Sequence, residues 1–286
     1  MRYAYRLVNV FTVDGDNLSG NPLCVFEDGR GLSPAVMQAL ALQFNLSETA
    51  FILPSTQSSA AVRIFTPAME LPFAGHPTLG SAFVVSALTG GGAAVSLSMP
   101  AGIIAVTRDG AVWTLEAAQP SARGLDDGEI GPLAEALGID RADIAAPVRW
   151  ISTGMEQLMV PLRSTDAVRR ARPGATLERF RNAFGKVGVC VFSPLSEAQP
   201  RVRFFFGKNA GAIAEDPATG SACANLLGHV VLGGAALPFS RALSQGAQIG
   251  RPSRLLLDVT STGVIRVGGE VIELGRGHVE LPNAEP

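Results

Sequence analysis

The stretch VRIFTPAMELPFAGHPTLGSA, Val62 to Ala82, returns in altered form as VRFFFGKNAGAIAEDPATGSA, Val202 to Ala222. At a constant offset of 140, without a gap, eight of the 21 positions are identical: Val62/Val202, Arg63/Arg203, Phe65/Phe205, Ala74/Ala214, Pro77/Pro217, Gly80/Gly220, Ser81/Ser221 and Ala82/Ala222. A second stretch agrees at an offset of 153, where Val106 to Val112 lies over Val259 to Ile265, each a strand, a Gly turn and a returning strand. Self-similarity at long range separates what belongs to the scaffold from what was added to it. Each half then shows the same coarse order: strands rich in Val, Ile and Phe, an amphipathic helix, another strand, and a second helix opening at the shared proline. Ser33-Pro34 supplies an N-cap and first helical residue, and Val36, Leu40 and Phe44 carry an apolar face on to Asn45. Phe51-Ile52-Leu53-Pro54 reads as a strand, and Gln119 to Gly131 reads as the linker between halves.

The fold expected is α/β in the α+β sense, with two pseudo-symmetric lobes. Each is a curved, mostly antiparallel sheet or barrel around a central helix, and the interlobe cleft is the natural ligand site. Residues 1–118 form the first lobe and 119–286 the second, with the C-terminal strand free to return to the first.

Composition narrows the function. With 47% hydrophobic residues among 286 there is ample material for buried cores, so disorder is excluded. A net charge of -2 leaves no basic excess for a phosphate backbone or an anionic lipid surface. A small molecule is therefore the expected partner, with no nucleic acid and no membrane. The start, Met1 to Phe11, reads as an alternating strand rather than a secretory signal. Cys24, Cys190 and Cys223 are too few and scattered for a disulfide framework or a zinc cage, which points to a reducing, cytoplasmic setting. There is no Gly-x-Ser-x-Gly elbow, no dinucleotide or phosphate-binding glycine loop, and no recognisable metal-ligand spacing. No cofactor and no metal are expected.

Chemistry is expected at two turns, Gly75-His76-Pro77 and Glu215-Asp216-Pro217. At the offset of 140, His76 and Asp216 are equivalent, each before a proline and a helical pattern, so both read as N-cap residues. A helix start offers unpaired N–H groups and partial positive charge, which suits a bound carboxylate. The plain alternative is that the two residues only cap their helices. Glu48 stands between a helix end and an apolar strand, where burial would raise its pKa toward the range of a general acid/base; the plain alternative is a solvated loop glutamate. Glu48 lies over Gly188 and so has no twin. A two-base racemase on duplicated halves needs a proton acceptor from each, so this asymmetry favours a single base. Ser221 follows Gly220 at a helix start, where its hydroxyl can hold a carboxylate. Ser81, its counterpart at this offset, reads as a helix-surface serine, and packing accounts for His229 and His278.

Taken together, the segments resemble the phenazine-biosynthesis PhzF-like family, a branch of the diaminopimelate-epimerase-like fold. The resemblance rests on Ser19-Gly20-Asn21-Pro22, Asn45 to Phe51, Glu70 to Thr78, Thr153-Gly154 before Gln157-Leu158, Glu215 to Ala222, and Gln245-Gly246 with Gly250 to Ser253. It implies a cofactor-independent isomerase in which Glu48 shuttles a proton between carbons of a small carboxylate. His76, Asp216 and Ser221 then bind and orient the substrate, helped by the backbone N–H groups of Gly75 and Gly220. Related epimerases and proline racemases use a cysteine pair, whereas Gly75-His76 and Gly220-Ser221 stand here and Cys223 falls two residues late. The resemblance also implies a homodimer. Two other functions remain open from the sequence: an amino-acid racemase or epimerase, with Asp216 as the second base, and a carboxylate-binding protein without catalysis.

Overall fold

A computed structural model of the chain describes residues 1–208 and 211–282. Its contacts divide it into two units, Met1–Glu116 with the chain from Gly268 onward, and Ala117–Val267. In chain order the first contains β1 (Arg2–Thr12), β2 (Asn21–Phe26), α1 (Pro34–Phe44), β3 (Glu48–Leu53), β4 (Ala60–Phe65), β5 (Glu70–Leu71), α2 (Gly75–Leu88), β6 (Ala94–Met99), β7 (Gly102–Asp109) and β8 (Val112–Glu116). The second contains β9 (Ser121–Gly124), α3 (Ile130–Leu137), β10 (Arg149–Ser152), β11 (Glu156–Pro161), α4 (Thr165–Arg170), β12 (Gly188–Phe192), β13 (Val202–Gly207), β14 (Ile213–Asp216), α5 (Gly220–Leu232), β15 (Phe239–Gln245), β16 (Ser253–Val259) and the start of β17 (Ile265–Glu280).

In the first unit the strands hydrogen-bond in the order β1-β2-β3-β4-β6-β7-β8-β17, and β17 pairs back onto β1 to close an eight-stranded barrel. Closure removes the exposed edges that an open sheet must otherwise protect. Helix α2 touches strands all round this barrel, and ten of its residues, His76 to Ala82 and Val84 to Ser86, are buried. A helix apolar on every side is stable only when enclosed. Gly80 marks the tightest approach, since a Cβ there would fall 2.6 Å from Leu23 Cδ2. Helix α1 covers the outer face, where Met37, Leu40 and Ala41 pack with Cys24, Phe26, Phe51 and Phe65. Ser33 caps it as expected, its hydroxyl accepting from Val36 N–H, and Asn45 ends it in the left-handed conformation.

The second unit has a six-stranded sheet, β14-β13-β12-β11-β10-β9, and a meander of β15, β16 and the start of β17. Helix α5 rests on β10, β11 and β16. The other face of the sheet buries Leu158, Val160, Val189 and Val191 with Leu133 and Leu137 of α3 and Val168 of α4. The linker expected over Gln119 to Gly131 is instead folded: Ser121–Gly124 forms β9 and pairs antiparallel with β10, followed by a short 3-10 turn into α3.

The expected repeat is present in the hydrogen bonds. The order β1-β2-α1-β3-β4-β5-α2-β6-β7-β8 recurs as β10-β11-α4-β12-β13-β14-α5-β15-β16-β17. In both, the strands flanking the first helix pair parallel and the next pair antiparallel. Phe51 opposes Arg63 where Val191 opposes Arg203, which keeps the offset of 140. The turns after β7 and β16 keep the offset of 153, with Gly110 and Gly263 both at positive φ.

Between these blocks the constant offset fails. Phe65 pairs with Glu70 and Phe205 with Glu215, so the second connection is five residues longer, and α2 starts at Gly75 but α5 at Gly220. The structural offset there is 145. His76 is therefore equivalent to Ser221, and Gly80 to Asn225. Neither His76 nor Asp216 is an N-cap: the caps are Ala74 and Thr219, His76 lies within the first turn of α2, and Asp216 ends β14. Ser81 is not on a helix surface but fully buried.

The same insertion hid a repeated ion pair. Arg63 grips Glu70 through Nε and Nη2 at 2.7 and 2.6 Å, and Arg203 grips Glu215 in the same two-pronged way at 3.0 and 2.6 Å. The second pair is the more enclosed, with side chains 6% and 8% exposed, and Arg203 also donates to the Val168 and Ala171 carbonyls. Removing one member of a buried pair strands the other. Arg203→Met is expected to cost about 3–5 kcal/mol of unfolding free energy in urea, and adding Glu215→Leu should recover part of it. Arg30→Met, which breaks the exposed Arg30–Asp28 pair, should leave the unfolding free energy nearly unchanged. Equal losses for the two arginine variants would show that the buried pair is not a fixed point of the fold.

The enclosure of α2 also acts on His76. Burial lowers its pKa from 6.5 to about 3, against a smaller upward pull from the Pro22 backbone. The folded chain thus holds His76 neutral at pH 7. As pH falls below 6.5 the unfolded chain binds a proton that the folded chain refuses until about pH 3, so stability is lost across that window. Unfolding free energy measured between pH 7 and 5 should decline, with His76 contributing at most about 1.4 kcal/mol per pH unit. His76→Asn should have the shallower slope; an unchanged slope would place the ring in water.

Candidate active site

Glu48 opens β3 opposite Leu23 of β2, one residue from the fully buried Thr49. Its side chain is 17% exposed, and its Oε2 lies 3.5 Å from His76 Nδ1. His76 comes from the first turn of α2, and its Nε2 is buried without a hydrogen bond among the described residues. A carboxylate thus faces a neutral imidazole at a helix start. Gly75 is the first residue of that helix, and the Ala74 side chain provides no cap.

In the second unit, Gly220 opens α5 and the Thr219 side chain makes no capping bond. It is committed elsewhere, its hydroxyl donating to Asp216 Oδ2. Gln245 clamps this turn: Oε1 accepts from Thr219 N–H at 3.1 Å, and Nε2 donates to the Asp216 carbonyl at 2.9 Å and to Thr219 Oγ1 at 3.0 Å. Gly246 is required beside it, with φ at +77° and the Arg251 and Pro217 carbonyl oxygens where a Cβ would stand. Ser221 Oγ accepts from Gln157 Nε2 at 3.0 Å, Gln157 Oε1 accepts from Asn225 Nδ2 at 2.8 Å, and Asn225 Oδ1 accepts from Thr153 N–H and Oγ1–H.

The contrast with α1 and α4 is chemical. α1 and α4 have serine caps, Ser33 and Ser164, that fill one of their free N–H groups. α2 and α5 have none, which leaves first-turn donors for an anion. The first unit thus brings Glu48, His76 and Gly75 together, and the second brings Asp216, Gly220 and Ser221 together. Gln157, Asn225 and Gln245 received no role in the sequence reading. The usable signal for Asn225 was its spacing of four from Ser221, which puts both on one helix face.

Among the described residues no group of three or more His, Cys, Asp and Glu side chains can hold a metal ion. Cys24, Cys190 and Cys223 are all buried and free, and burial pushes each thiol's pKa up, away from the reactive thiolate. No described helix is long and apolar enough to cross a membrane.

The family model of the phenazine biosynthesis-like proteins matches residues 8–274. An uncharacterized isomerase of Pasteurella multocida is 39% identical over 99% of this chain and 96% of its own length. The trans-2,3-dihydro-3-hydroxyanthranilate isomerase of Pseudomonas fluorescens is 34% identical over 92% and 95%. Among solved structures, a Pseudomonas aeruginosa protein described as a predicted epimerase has a TM-score of 0.84 at 32% identity, over 99% of this chain and all of that one. With the family match spanning both units and isomerases aligned over almost their whole length, the chain belongs to the phenazine biosynthesis-like, or PhzF, family and is an isomerase.

Proposed function

We propose that this isomerase moves a proton between two carbons of a small unsaturated carboxylate, without a cofactor, using Glu48 as its one acid/base. The observation that carries the reading is the difference between two equivalent strand starts. β3 opens on Glu48 beside His76 Nδ1; β12 opens on Gly188, where a side chain would meet the Phe204 ring at 3.3 Å. One unit has a carboxylate there, and the other a glycine whose surroundings are tight for any side chain.

The Glu48 carboxylate takes a proton from a substrate carbon, and the electron pair of the broken C–H bond enters the adjacent π-system. The Glu48 carboxylic acid then returns a proton to another carbon of that system, where the new C–H bond forms. Proton and electron pair both end on the substrate, and the glutamate is regenerated. Neutral His76 holds a polar substituent and keeps Glu48 oriented. The uncapped N–H groups of Gly75 and Gly220 and the Ser221 hydroxyl bind the carboxylate, and Asp216, held by Thr219, orients an amino or hydroxyl group. The Pseudomonas fluorescens relative is named for a dihydro-hydroxyanthranilate, so a cyclic amino- or hydroxy-carboxylate is the proposed substrate class. The family resemblance extends the proposal to a homodimer, and the free cysteines to a reducing, cytoplasmic setting.

Turnover of trans-2,3-dihydro-3-hydroxyanthranilate in heavy water should place deuterium at the carbon that gains a hydrogen. Glu48→Gln should lower kcat by roughly 10²–10⁴-fold with KM little changed; a wild-type rate in that variant would remove Glu48 from the reaction. The description of the Pseudomonas aeruginosa neighbour supports an epimerase as the second reading. Loss of optical purity in single amino acids, followed by chiral chromatography, would favour it.

A further inference from the structure

We infer that Gln157, itself oriented by Asn225, is a positioning residue that fixes the Ser221 hydroxyl as a donor pointing out of the protein's own network, toward a bound carboxylate. The inference rests on the proposed role of Ser221 in binding the substrate. It names which way that hydroxyl faces and what makes it do so.

The direction follows from two backbone groups that cannot reverse. Asn225 Oδ1 faces the Thr153 N–H at 2.8 Å, so it must be the acceptor end of the amide. Asn225 Nδ2 faces the Met155 carbonyl at 2.8 Å, so it must be the donor end. A flipped amide would set N–H against N–H and oxygen against oxygen. The same Nδ2 reaches Gln157 Oε1 at 2.8 Å, which in turn makes Gln157 Nε2 the end that meets Ser221 Oγ at 3.0 Å. Gln157 is 2% exposed and Asn225 is fully buried, so water does not compete for these groups. Ser221 Oγ is thereby used as an acceptor on its inner side, and its own O–H has to donate elsewhere. At the uncapped start of α5 the partner that fits is an anion, which takes the hydroxyl proton and the helix N–H groups together.

The first unit has no such relay. Leu23 stands at the strand position of Gln157 and packs on Gly80, the counterpart of Asn225. The polar chain is therefore an added feature of the second unit and not a requirement of the fold.

The polarity can be reversed. In Gln157→Glu one carboxylate oxygen still accepts from Asn225 Nδ2, but the other has no proton to give, so Ser221 must turn its O–H inward. Anthranilate, whose own fluorescence reports binding, serves as the carboxylate probe. Ser221→Ala should weaken it on the order of tenfold in the wild-type background, the scale of one charge-assisted hydrogen bond. In the Gln157→Glu background the same change should cost less than about twofold, because the hydroxyl is already withdrawn. With the natural substrate the loss should fall on KM and leave kcat, unlike a general disturbance of the site. A full tenfold cost of Ser221→Ala in both backgrounds would overturn the inference, as would wild-type affinity in Gln157→Glu. Neutron diffraction from the deuterated wild-type protein reads the same direction without any variant. Deuterium on Ser221 Oγ directed away from Gln157 supports the inference, and deuterium directed at Gln157 overturns it. If anthranilate fails to bind the wild-type protein while the deuterium points outward, the hydrogen-bond direction stands and the carboxylate reading of the site is what fails.

Discussion

A helix wrapped by strands has to end somewhere, and its first turn carries N–H groups that no residue of the helix can satisfy. That constraint joins fold to function in this chain. α2 is buried along nearly its whole length because the barrel closes around it. A surface helix can satisfy its start with a serine, as α1 does with Ser33 and α4 with Ser164. α2 and α5 begin on glycines with no side-chain cap, so the donors remain available. Gly75 and Gly220 suit that role because a bare backbone permits a ligand to approach closely. The free first-turn donors are then a consequence of how the sheets enclose their helices.

The sequence made the strand pattern legible because strand pairing is set by local alternation and turn chemistry. Phe65 and Phe205, Arg63 and Arg203, and the Gly110 and Gly263 turns fall into register without any knowledge of the fold. What the sequence hid lay downstream of an unequal connection. The chain between Phe205 and Glu215 is five residues longer than that between Phe65 and Glu70, yet an ungapped comparison still matched Pro77 to Pro217 and Gly80 to Gly220. Asp-Pro before a helical pattern is a strong local cap signal, and it prevailed over a pairing visible only in three dimensions. The actual frame is carried by Arg63–Glu70 and Arg203–Glu215, where each strand arginine clasps the acid on the next short strand. Ion pairs of this kind join residues whose spacing differs between halves, so identity at fixed offset cannot find them.

With the frame corrected, four positions separate the two units. Leu23, Glu48, His76 and Gly80 in the first correspond to Gln157, Gly188, Ser221 and Asn225 in the second. The first set combines a carboxylate with an imidazole kept neutral by burial. The second is uncharged and hydrogen-bonded throughout. The two copies of the duplicated unit thus differ in charge at equivalent positions.

These positions cannot have changed one at a time without cost. A side chain at Gly80 would strike Leu23 Cδ2 at 2.6 Å, so an asparagine there requires a different partner on the neighbouring strand. Conversely, Asn225 without Gln157 would bury an amide hydrogen that has lost its acceptor. A buried polar relay stabilises only when every member is satisfied, and a partial one is worse than an apolar contact. Leu23 with Gly80 in the first unit, and Gln157 with Asn225 in the second, are thus matched pairs, and changing one member alone leaves either a clash or an unpaired amide.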